Sequence, residues 1–517
     1  MRAAVAAVVV LSASVVALVA SRGRGRRLPA GRDLAGWALA DRSHGHLLTW
    51  CVLGGTIYTA YTFLAVPGLV FSSGGVGFYA LTYTVVVYAL AFMVLPRLAG
   101  IARTHGYVTG ADFIRGRYGS PGLALAVALT GILATMPYIA LQLLGIQAVL
   151  SVLGVESGGV VGDLVLTVVF AVLAVSTYRH GLRVPSAVSI GKAVLVTASA
   201  VSIAALVWIR VGSPGELFSA AERTITARDS GLSVVLDPAL GPAYVSLALG
   251  SALALFAFPH VLMVAFSARS DDVVRRSAVT LLGWTGLLGL FAVFGVAALA
   301  MSLVPPPGRA ELAVPMLVRE LAPAWLSGAV LGALVVAALV PAAVMSIGAS
   351  ALFARNVYVE YVNPTATAEQ ETKVARVVSL VVKLGALGFA MGLHGQNAIN
   401  LHLLGAVWVL QTLPALVLGL ASRAPHRLAL LTGWFVGMIA GTAMVAHGGF
   451  SPTVLVSLGP VSTQLYPGLL GLAVNLAVVV VAELLLRRWG PVRGLDRTVG
   501  RRSTRTLPAA ASRSVQS

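Results

Sequence analysis

Hydroxyl-bearing side chains cluster within one long apolar stretch of the sequence, residues 54–75. Four of them lie close together, at Tyr58, Thr59, Tyr61 and Thr62. Hydroxyl and carbonyl oxygens bind small polar solutes and hard cations, so the chemistry that this stretch offers is reversible binding. GxxxxGK[ST] and HExxH, the motifs of phosphate-binding loops and catalytic zinc sites, do not occur in the chain. We therefore expect a protein that is not an enzyme.

Prolines interrupt two of the apolar stretches. Pro67–Gly68 follows the hydroxyl cluster, and Pro259 stands beside His260 in LFAFPHVLMVAF, residues 255–266. Proline lacks the N–H that a helix needs and clashes with the preceding turn, so we predict a break or kink at each position. Freed backbone groups are tolerated inside a membrane only beside protein or a water-filled cavity. The pair indicates a midplane binding site between two discontinuous helices, with kinks that serve packing alone as the alternative.

Three roles are open to His260. An imidazole titrates near neutral pH and could carry a proton together with a bound solute. It could equally donate a neutral hydrogen bond to a carboxylate, or satisfy a carbonyl group freed at the helix break. The sequence does not separate these three roles.

The elements that hold these residues are membrane spans. Apolar residues make up 58% and charged residues 10% of the 517 positions, whereas soluble proteins carry about 25% charged residues. An apolar stretch of about 20 residues crosses the hydrocarbon core as a helix. We predict an all-α integral membrane protein with about thirteen transmembrane helices, at residues 3–20, 47–71, 77–96, 121–154, 160–177, 184–209, 243–266, 278–304, 324–353, 377–394, 400–421, 428–446 and 465–486.

The net charge of +18 reflects how the chain is oriented in the membrane. Most Lys and Arg residues fall in alternate loops, as they do where basic residues are retained on the cytoplasmic side of a membrane. We therefore predict a multi-pass plasma-membrane protein with its N-terminus outside and its C-terminus in the cytoplasm. Membrane lipids are its expected surroundings, and nucleic acid is excluded as a partner. The loops that carry this excess are 21–46, 97–120, 178–183, 267–277, 354–376, 422–427 and 487–517.

Four segments together resemble the sodium:solute symporter family. They are GRDLAGWALADRSHG (31–45), VTGADFIRGRYGS (108–120), PYIALQLLGIQAVL (137–150) and SIGASALFARNVYVEYV (346–362). The resemblance implies a LeuT-like fold, in which two inverted repeats of five helices form the transporter core. The expected organisation is an extra N-terminal helix at 1–20, a cytoplasmic lead-in at 21–46, the ten-helix core at 47–421, two additional helices within 422–486 and a basic disordered tail at 487–517.

Two further segments are similar to the bacterial monocarboxylate permease branch of that family, namely FPH (258–260) and WVLQTLPALVLGL (408–420). This similarity implies a secondary active transporter that takes up a small organic anion such as lactate, pyruvate or acetate. A symporter for proline, pantothenate or a sugar is an alternative within the family. A membrane sensor or receptor that keeps the transporter fold is an alternative outside it. The oligomeric state stays open.

The resemblance also implies a substrate site on core helices 1, 3, 6 and 10. Polar residues on these helices are the candidates, and each could instead bond one helix to another. They are Thr59, Thr62, Tyr138, Gln142, His260, Gln411 and Thr412.

The coupling ion is where this sequence departs from the family. Sodium in this fold is expected between core helices 1 and 8, at carbonyls that fall here on Tyr58 and Tyr61 and at a hydroxyl pair. An ungapped alignment puts that pair on Val340 and Pro341, which have no side-chain oxygen. The family predicts coupling to sodium, while these residues favour coupling to protons. A shifted alignment would supply hydroxyls instead, from Ser346 or Ser350. No organic cofactor is expected, and no metal beyond a possible sodium ion.

Two lysines lie well within predicted spans, Lys192 and Lys383. Lys192–Ala193 stands where the family has an acidic residue on core helix 5. Charged groups at this depth are candidates for function. Lys192 could place positive charge near the cavity and so favour an anion. Alternatively, each lysine could extend its ammonium group to the cytoplasmic headgroups, about two helical turns away.

Overall fold

The fold is taken from a computed structural model. It describes residues 1–23, 33–155, 177–228, 231–392, 398–422, 425–458, 461–489, 491 and 494–498, together with 164, 167, 168, 171, 174 and 175. The described residues are almost entirely helical, in agreement with the predicted fold class.

Helices of very different lengths make up the bundle. In chain order they are α1 (Arg2–Gly23), α2 (Leu34–Ala38), α3 (His46–Ile57), α4 (Val66–Ser73), α5 (Tyr79–His105), α6 (Gly110–Tyr118), α7 (Pro121–Val152), α8 (Arg183–Val211), α9 (Pro214–Ala227), α10 (Gly241–Ala257), α11 (Pro259–Phe266), α12 (Asp271–Thr280), α13 (Leu282–Ala300), α14 (Ala313–Leu321), α15 (Ala324–Phe353), α16 (Ala368–Gly392), α17 (Ala398–Leu410), α18 (Leu413–Ala421), α19 (Arg427–His447) and α20 (Pro467–Trp489). A hairpin of two antiparallel strands, β1 (Val454–Leu458) and β2 (Val461–Leu465), precedes α20.

The predicted number of thirteen spans is not confirmed. Among the described residues, eight helices are long and apolar enough to cross a membrane, or nine if the bent pair α17 and α18 forms one span. The apolar helices Arg2–Ala13 and His46–Ile57 are shorter. Most of the predicted span at 160–177 lies outside the described residues. The chain is thus a multi-pass membrane protein.

The second predicted span is discontinuous, but its break is not at Pro67–Gly68. Helix α3 ends at Ile57, and Tyr58 has an extended backbone with ψ of 98°. A π-helical turn at Tyr61–Ala65 leads into α4. Pro67 stands in the first turn of α4, directly after the π-helical turn. The second half of the span therefore begins at the π-helical turn, and the break lies about two turns before the proline.

The seventh predicted span breaks where the sequence predicts. Helix α10 ends at Ala257, Phe258 is extended with ψ of 128°, and Pro259 opens α11. The first half of the second span, α3, packs against α11. Two broken spans therefore meet inside the bundle. A third interruption bends α17 against α18 by 45°.

The elements outside the predicted core pack on its periphery. Helix α1 lies against α8 and α15, while α19 and α20 pair with each other and contact α17. Part of the predicted tail makes contacts with α6: Arg117 forms an ion pair of 2.6 Å with Asp496, and the N–H of Arg497 donates to the carbonyl of Gly116. Residues 494–498 of the predicted tail thus contact α6, and the residues after 498 lie outside the described part of the chain.

Candidate functional site

The two helix breaks and α7 enclose a cluster of aromatic and polar side chains. The ring of Tyr138 lies 5.6 Å from that of His260 and 5.3 Å from that of Phe258. The Tyr138 side chain also hydrogen-bonds Thr59, which lies in the break after α3. All four side chains are buried. This cluster, which we call the central cluster, brings together three of the predicted substrate residues.

Gln142 holds the backbone of the first break. Its side-chain carbonyl accepts a hydrogen bond of 2.9 Å from the N–H of Ala60, and its amide donates to the Tyr138 carbonyl. The Thr59 hydroxyl accepts from the N–H of Tyr61 at 3.1 Å. Backbone donors freed by the break are thus satisfied by side chains. Gln142 therefore positions the break, and its contacts argue for a structural contribution.

The tyrosine hydroxyls of the predicted ion site are engaged with neighbouring helices. The Tyr58 hydroxyl hydrogen-bonds Tyr88 and lies 3.0 Å from the Thr285 hydroxyl. The Tyr61 hydroxyl lies 2.8 Å from that of Tyr79. These side chains tie the broken span to α5 and α13. Thr62, another predicted substrate residue, is buried in the same turn.

Gln411 and Thr412 form their hydrogen bonds with residues outside the central cluster. The Gln411 amide donates to the Val407 carbonyl at 3.0 Å, and Asn475 of α20 donates to the Gln411 carbonyl at 2.9 Å. The Thr412 hydroxyl donates to the carbonyl of Val409. Gln411 therefore joins the bend between α17 and α18 to an added C-terminal helix, which is the helix-to-helix alternative raised above.

Lys192 lies between the first break and α15. Its ammonium donates to the backbone carbonyls of Gly55 at 2.6 Å, Tyr58 at 2.8 Å and Ala337 at 2.8 Å. The side chain is fully buried. The interpretation that Lys192 reaches the headgroups is therefore wrong. The same holds for Lys383, which is buried and donates to the Ser379 hydroxyl at 2.7 Å.

The hydroxyls that a shifted alignment would supply make other contacts. Ser346 donates to the Ala343 carbonyl and lies 3.3 Å from the Ser379 hydroxyl. Ser350 donates to the Ile347 carbonyl of its own helix. Neither contact joins α15 to the break after Ile57. The carbonyl of Tyr61 accepts from the N–H of Val66 within the π-helical turn. The carbonyl of Tyr58 instead accepts from Lys192.

A cavity of about 270 Å³ lies beside α4, among small and polar side chains. None of the predicted substrate residues belongs to its described lining. The cavity is thus separate from the central cluster, whose side chains are buried. The lining residues are Ala65, Gly68, Leu69, Ser72, Ser73, Ala310, Glu311, Asn400, Ser451 and Pro452.

Comparison with known sequences gives a consistent result. Residues 37–441 match the family described as Sodium:solute symporter family. A monocarboxylate transport permease protein of Rhizobium johnstonii is 44% identical over 480 residues, covering 93% of this chain and 96% of the relative. The uncharacterized symporter YodF of Bacillus subtilis is 30% identical over 492 residues, covering 94% of each chain. A monocarboxylic acid transporter of Corynebacterium glutamicum is 24% identical over 76% of this chain and 75% of its own length.

Solved structures share the fold at low sequence identity. A Na⁺-coupled sialic acid symporter in a substrate-bound outward-open state superposes with a TM-score of 0.75, at 16% identity, covering 94% of this chain and 97% of that one. Mhp1, a nucleobase-cation-symport-1 family transporter, superposes with a TM-score of 0.52 at 15% identity, covering 87% and 93%. These neighbours establish the LeuT-like fold.

Proposed function

Since the chain belongs to the sodium:solute symporter family, we propose that it takes up a small monocarboxylate by alternating access. The observation that carries this proposal is the 44% identity, over nearly the whole of both chains, to a monocarboxylate transport permease protein. A second relative, at 24% identity, is named a monocarboxylic acid transporter. Lactate, pyruvate and acetate are the solutes we propose first.

The central cluster supports a small anion as substrate. Thr59, Tyr138 and His260 bring hydroxyl and imidazole donors to the point where the two broken spans meet. Such donors suit a carboxylate, which accepts hydrogen bonds and donates none. Aromatic rings of Tyr138 and Phe258 offer an apolar wall for a short alkyl group. Alternating access would open this buried cluster to each side of the membrane in turn.

We further propose that uptake is coupled to protons. Family membership predicts sodium, but Val340 and Pro341 offer no side-chain oxygen where the family's hydroxyls are expected. Val340 instead packs against Val184 and Val188 of α8. A monocarboxylate that enters with one proton moves no net charge. The proposed topology keeps the N-terminus outside, the C-terminus in the cytoplasm and the transporter core at 47–421.

The test of the substrate is uptake by purified protein in proteoliposomes. Labelled pyruvate, lactate, acetate and proline are supplied separately, with sodium and pH gradients imposed one at a time. We expect accumulation of at least one of the three monocarboxylates and none of proline. Uptake of proline in preference to all three acids, or no accumulation of any of the four, would contradict the proposed substrate class.

His260→Ala is expected to lower monocarboxylate uptake by roughly tenfold or more per folded molecule, because a buried carboxylate would lose a donor. Uptake is normalised to monodisperse protein, so that a loss of folding is not counted as a loss of binding. The matched control is His44→Ala, which removes a buried histidine that contacts the Ser267 hydroxyl at 2.8 Å, away from the central cluster. Equal uptake in His260→Ala and the unchanged protein would remove His260 from the substrate site.

A further inference from the structure

The break in the second span leaves two carbonyl oxygens without their helical donors. Helix α3 ends at Ile57, so Thr59, which would donate to Gly55 in a continuing helix, lies in the break. The N–H of Thr62, which would donate to Tyr58, donates to the Thr59 carbonyl at 2.9 Å instead. Buried carbonyls need another donor or a cation.

A third carbonyl is freed on the facing helix by a proline. In an α-helix the carbonyl of Ala337 accepts from the N–H of the residue four positions on. That residue is Pro341, within α15, and proline has no N–H. The carbonyl of Ala337 therefore has no backbone N–H donor four residues later in the helix. It faces the same point as the carbonyls of Gly55 and Tyr58, since one atom contacts all three.

The ammonium of Lys192 matches this set of acceptors. It has three N–H donors, and it makes one hydrogen bond, of 2.6–2.8 Å, to each of the three carbonyls. The ring of Phe63 lies 5.6 Å from the nitrogen and adds a favourable cation–π contact. The positive charge is thus held by carbonyl dipoles and a ring face.

This arrangement does not fit a sodium ion. Carbonyls of an unwound helix segment are the ligands that transporters of this kind offer to a small cation. Here their lone pairs point at a lysine nitrogen, and Val340, one turn beyond Ala337, adds no side-chain oxygen. A sodium ion at this point would meet the ammonium of Lys192 at contact distance, where like charges repel strongly in a medium of low dielectric constant.

We propose that the Lys192 ammonium is a tethered cation, which occupies the position of a coupling ion between the first broken span and α15. The carbonyls of Gly55, Tyr58 and Ala337 thus form a binding site for an ammonium group. The relevance of this site to ion coupling rests on the transport function proposed above. Because the bridging cation is a side chain of the protein, the link between the break and α15 forms without sodium.

The first test follows the thermal stability of the purified full-length protein, without substrate, in choline, sodium and ammonium chloride at equal ionic strength. We expect the unchanged protein to melt at the same temperature in all three salts. Lys192→Ala should melt lower in choline, and ammonium should restore part of the loss, because a free cation can then enter the emptied carbonyl site. The matched control, Lys383→Ala, removes a buried lysine that contacts Ser379 of its own helix, and its melting should not respond specifically to ammonium.

Two results of this thermal test would overturn the proposal. The first is a specific rise in melting temperature of the unchanged protein in sodium, which needs no variant and holds even if Lys192→Ala does not fold. The second is a Lys192→Ala protein that melts equally in choline and ammonium. Lys192→Met, which keeps the bulk and removes the charge, should lower substrate exchange roughly tenfold or more, because three buried acceptors lose their donors.

The melting temperatures in the three salts test the tethered cation independently of the proposed substrate. These temperatures are called the salt pattern below. If no monocarboxylate is transported while the salt pattern is as expected, the substrate proposal fails and the tethered cation stands. If monocarboxylates are transported but sodium specifically stabilises the unchanged protein, the tethered cation fails and the substrate proposal stands. Retention of full exchange by Lys192→Met would also reject a tethered cation.

Discussion

An inward proton gradient is expected to drive monocarboxylate accumulation into sodium-free proteoliposomes. If one proton enters with each anion, a gradient of about one pH unit supports roughly tenfold accumulation, because one pH unit and a tenfold concentration ratio are the same free energy. The combined movement is electroneutral, so a potassium-diffusion potential should leave the plateau unchanged. The measurement is the plateau ratio of labelled pyruvate at several imposed pH differences.

A sodium gradient at equal pH should drive no accumulation, and a protonophore should abolish the accumulation that a pH gradient drives. Weak acids cross lipid unaided in their neutral form, so protein-free liposomes and His260→Ala proteoliposomes set the baseline. Uptake that saturates with sodium and ignores pH would contradict proton coupling. The placement of Val340 and Pro341 at the ion site would then be wrong, and Ser346 or Ser350 would return as candidate ligands.

The sequence predicts that the second span is broken but not where. Pro67 is a strong local signal, yet the helical backbone runs through it, from the π-helical turn at Tyr61–Ala65 into α4. The break at Tyr58 depends on partners from distant segments, such as Gln142, which binds the N–H of Ala60. Contacts of this kind are tertiary, and a local pattern does not contain them. At Pro259 the break and the proline coincide, and the prediction is confirmed.

The partners of Lys192 are also tertiary, and the sequence predicts them only in part. Its depth in the sequence indicates either a headgroup contact or a charge near the cavity, and the structure gives a third arrangement, three carbonyl acceptors on two other elements. One part of that arrangement was available from residue types alone. Pro341 frees the carbonyl of Ala337, four positions earlier, whatever the tertiary structure. A freed carbonyl in one span and an unpaired lysine in another are complementary signals.

Gln411 marks a limit of transferring site residues by resemblance. Its position on core helix 10 predicts a cavity-lining amide, but its hydrogen bonds reach Asn475 of an added helix. Helices outside the predicted core can use polar residues of that core for packing. The candidates that the structure brings together are therefore Thr59, Tyr138 and His260, and these remain a prediction for mutagenesis.

Gly295→Ala is expected to destabilise the protein severely, by at least about 2 kcal/mol, as overpacking against rigid neighbours does. Gly295 lies on α13, where the chain passes the first turn of α4. A methyl group there would lie 2.3 Å from the backbone carbonyl oxygen of Pro67, which no side-chain rotation relieves. Helix α13 would have to move away from the second half of the broken span. The melting temperature of the purified protein and its substrate exchange should both fall.

Gly286→Ala is the matched control on the same helix, because a methyl group there meets nothing within 4 Å. Alanine favours a helix over glycine by up to about 1 kcal/mol, so this variant should melt at the same or a higher temperature. The contrast isolates the crossing of α13 and α4 from the general effect of replacing glycine in a membrane helix. Equal melting temperatures for the two variants would mean that α4 does not pack against Gly295. The second half of the broken span would then lie elsewhere, and the central cluster built on that span would lose its structural basis.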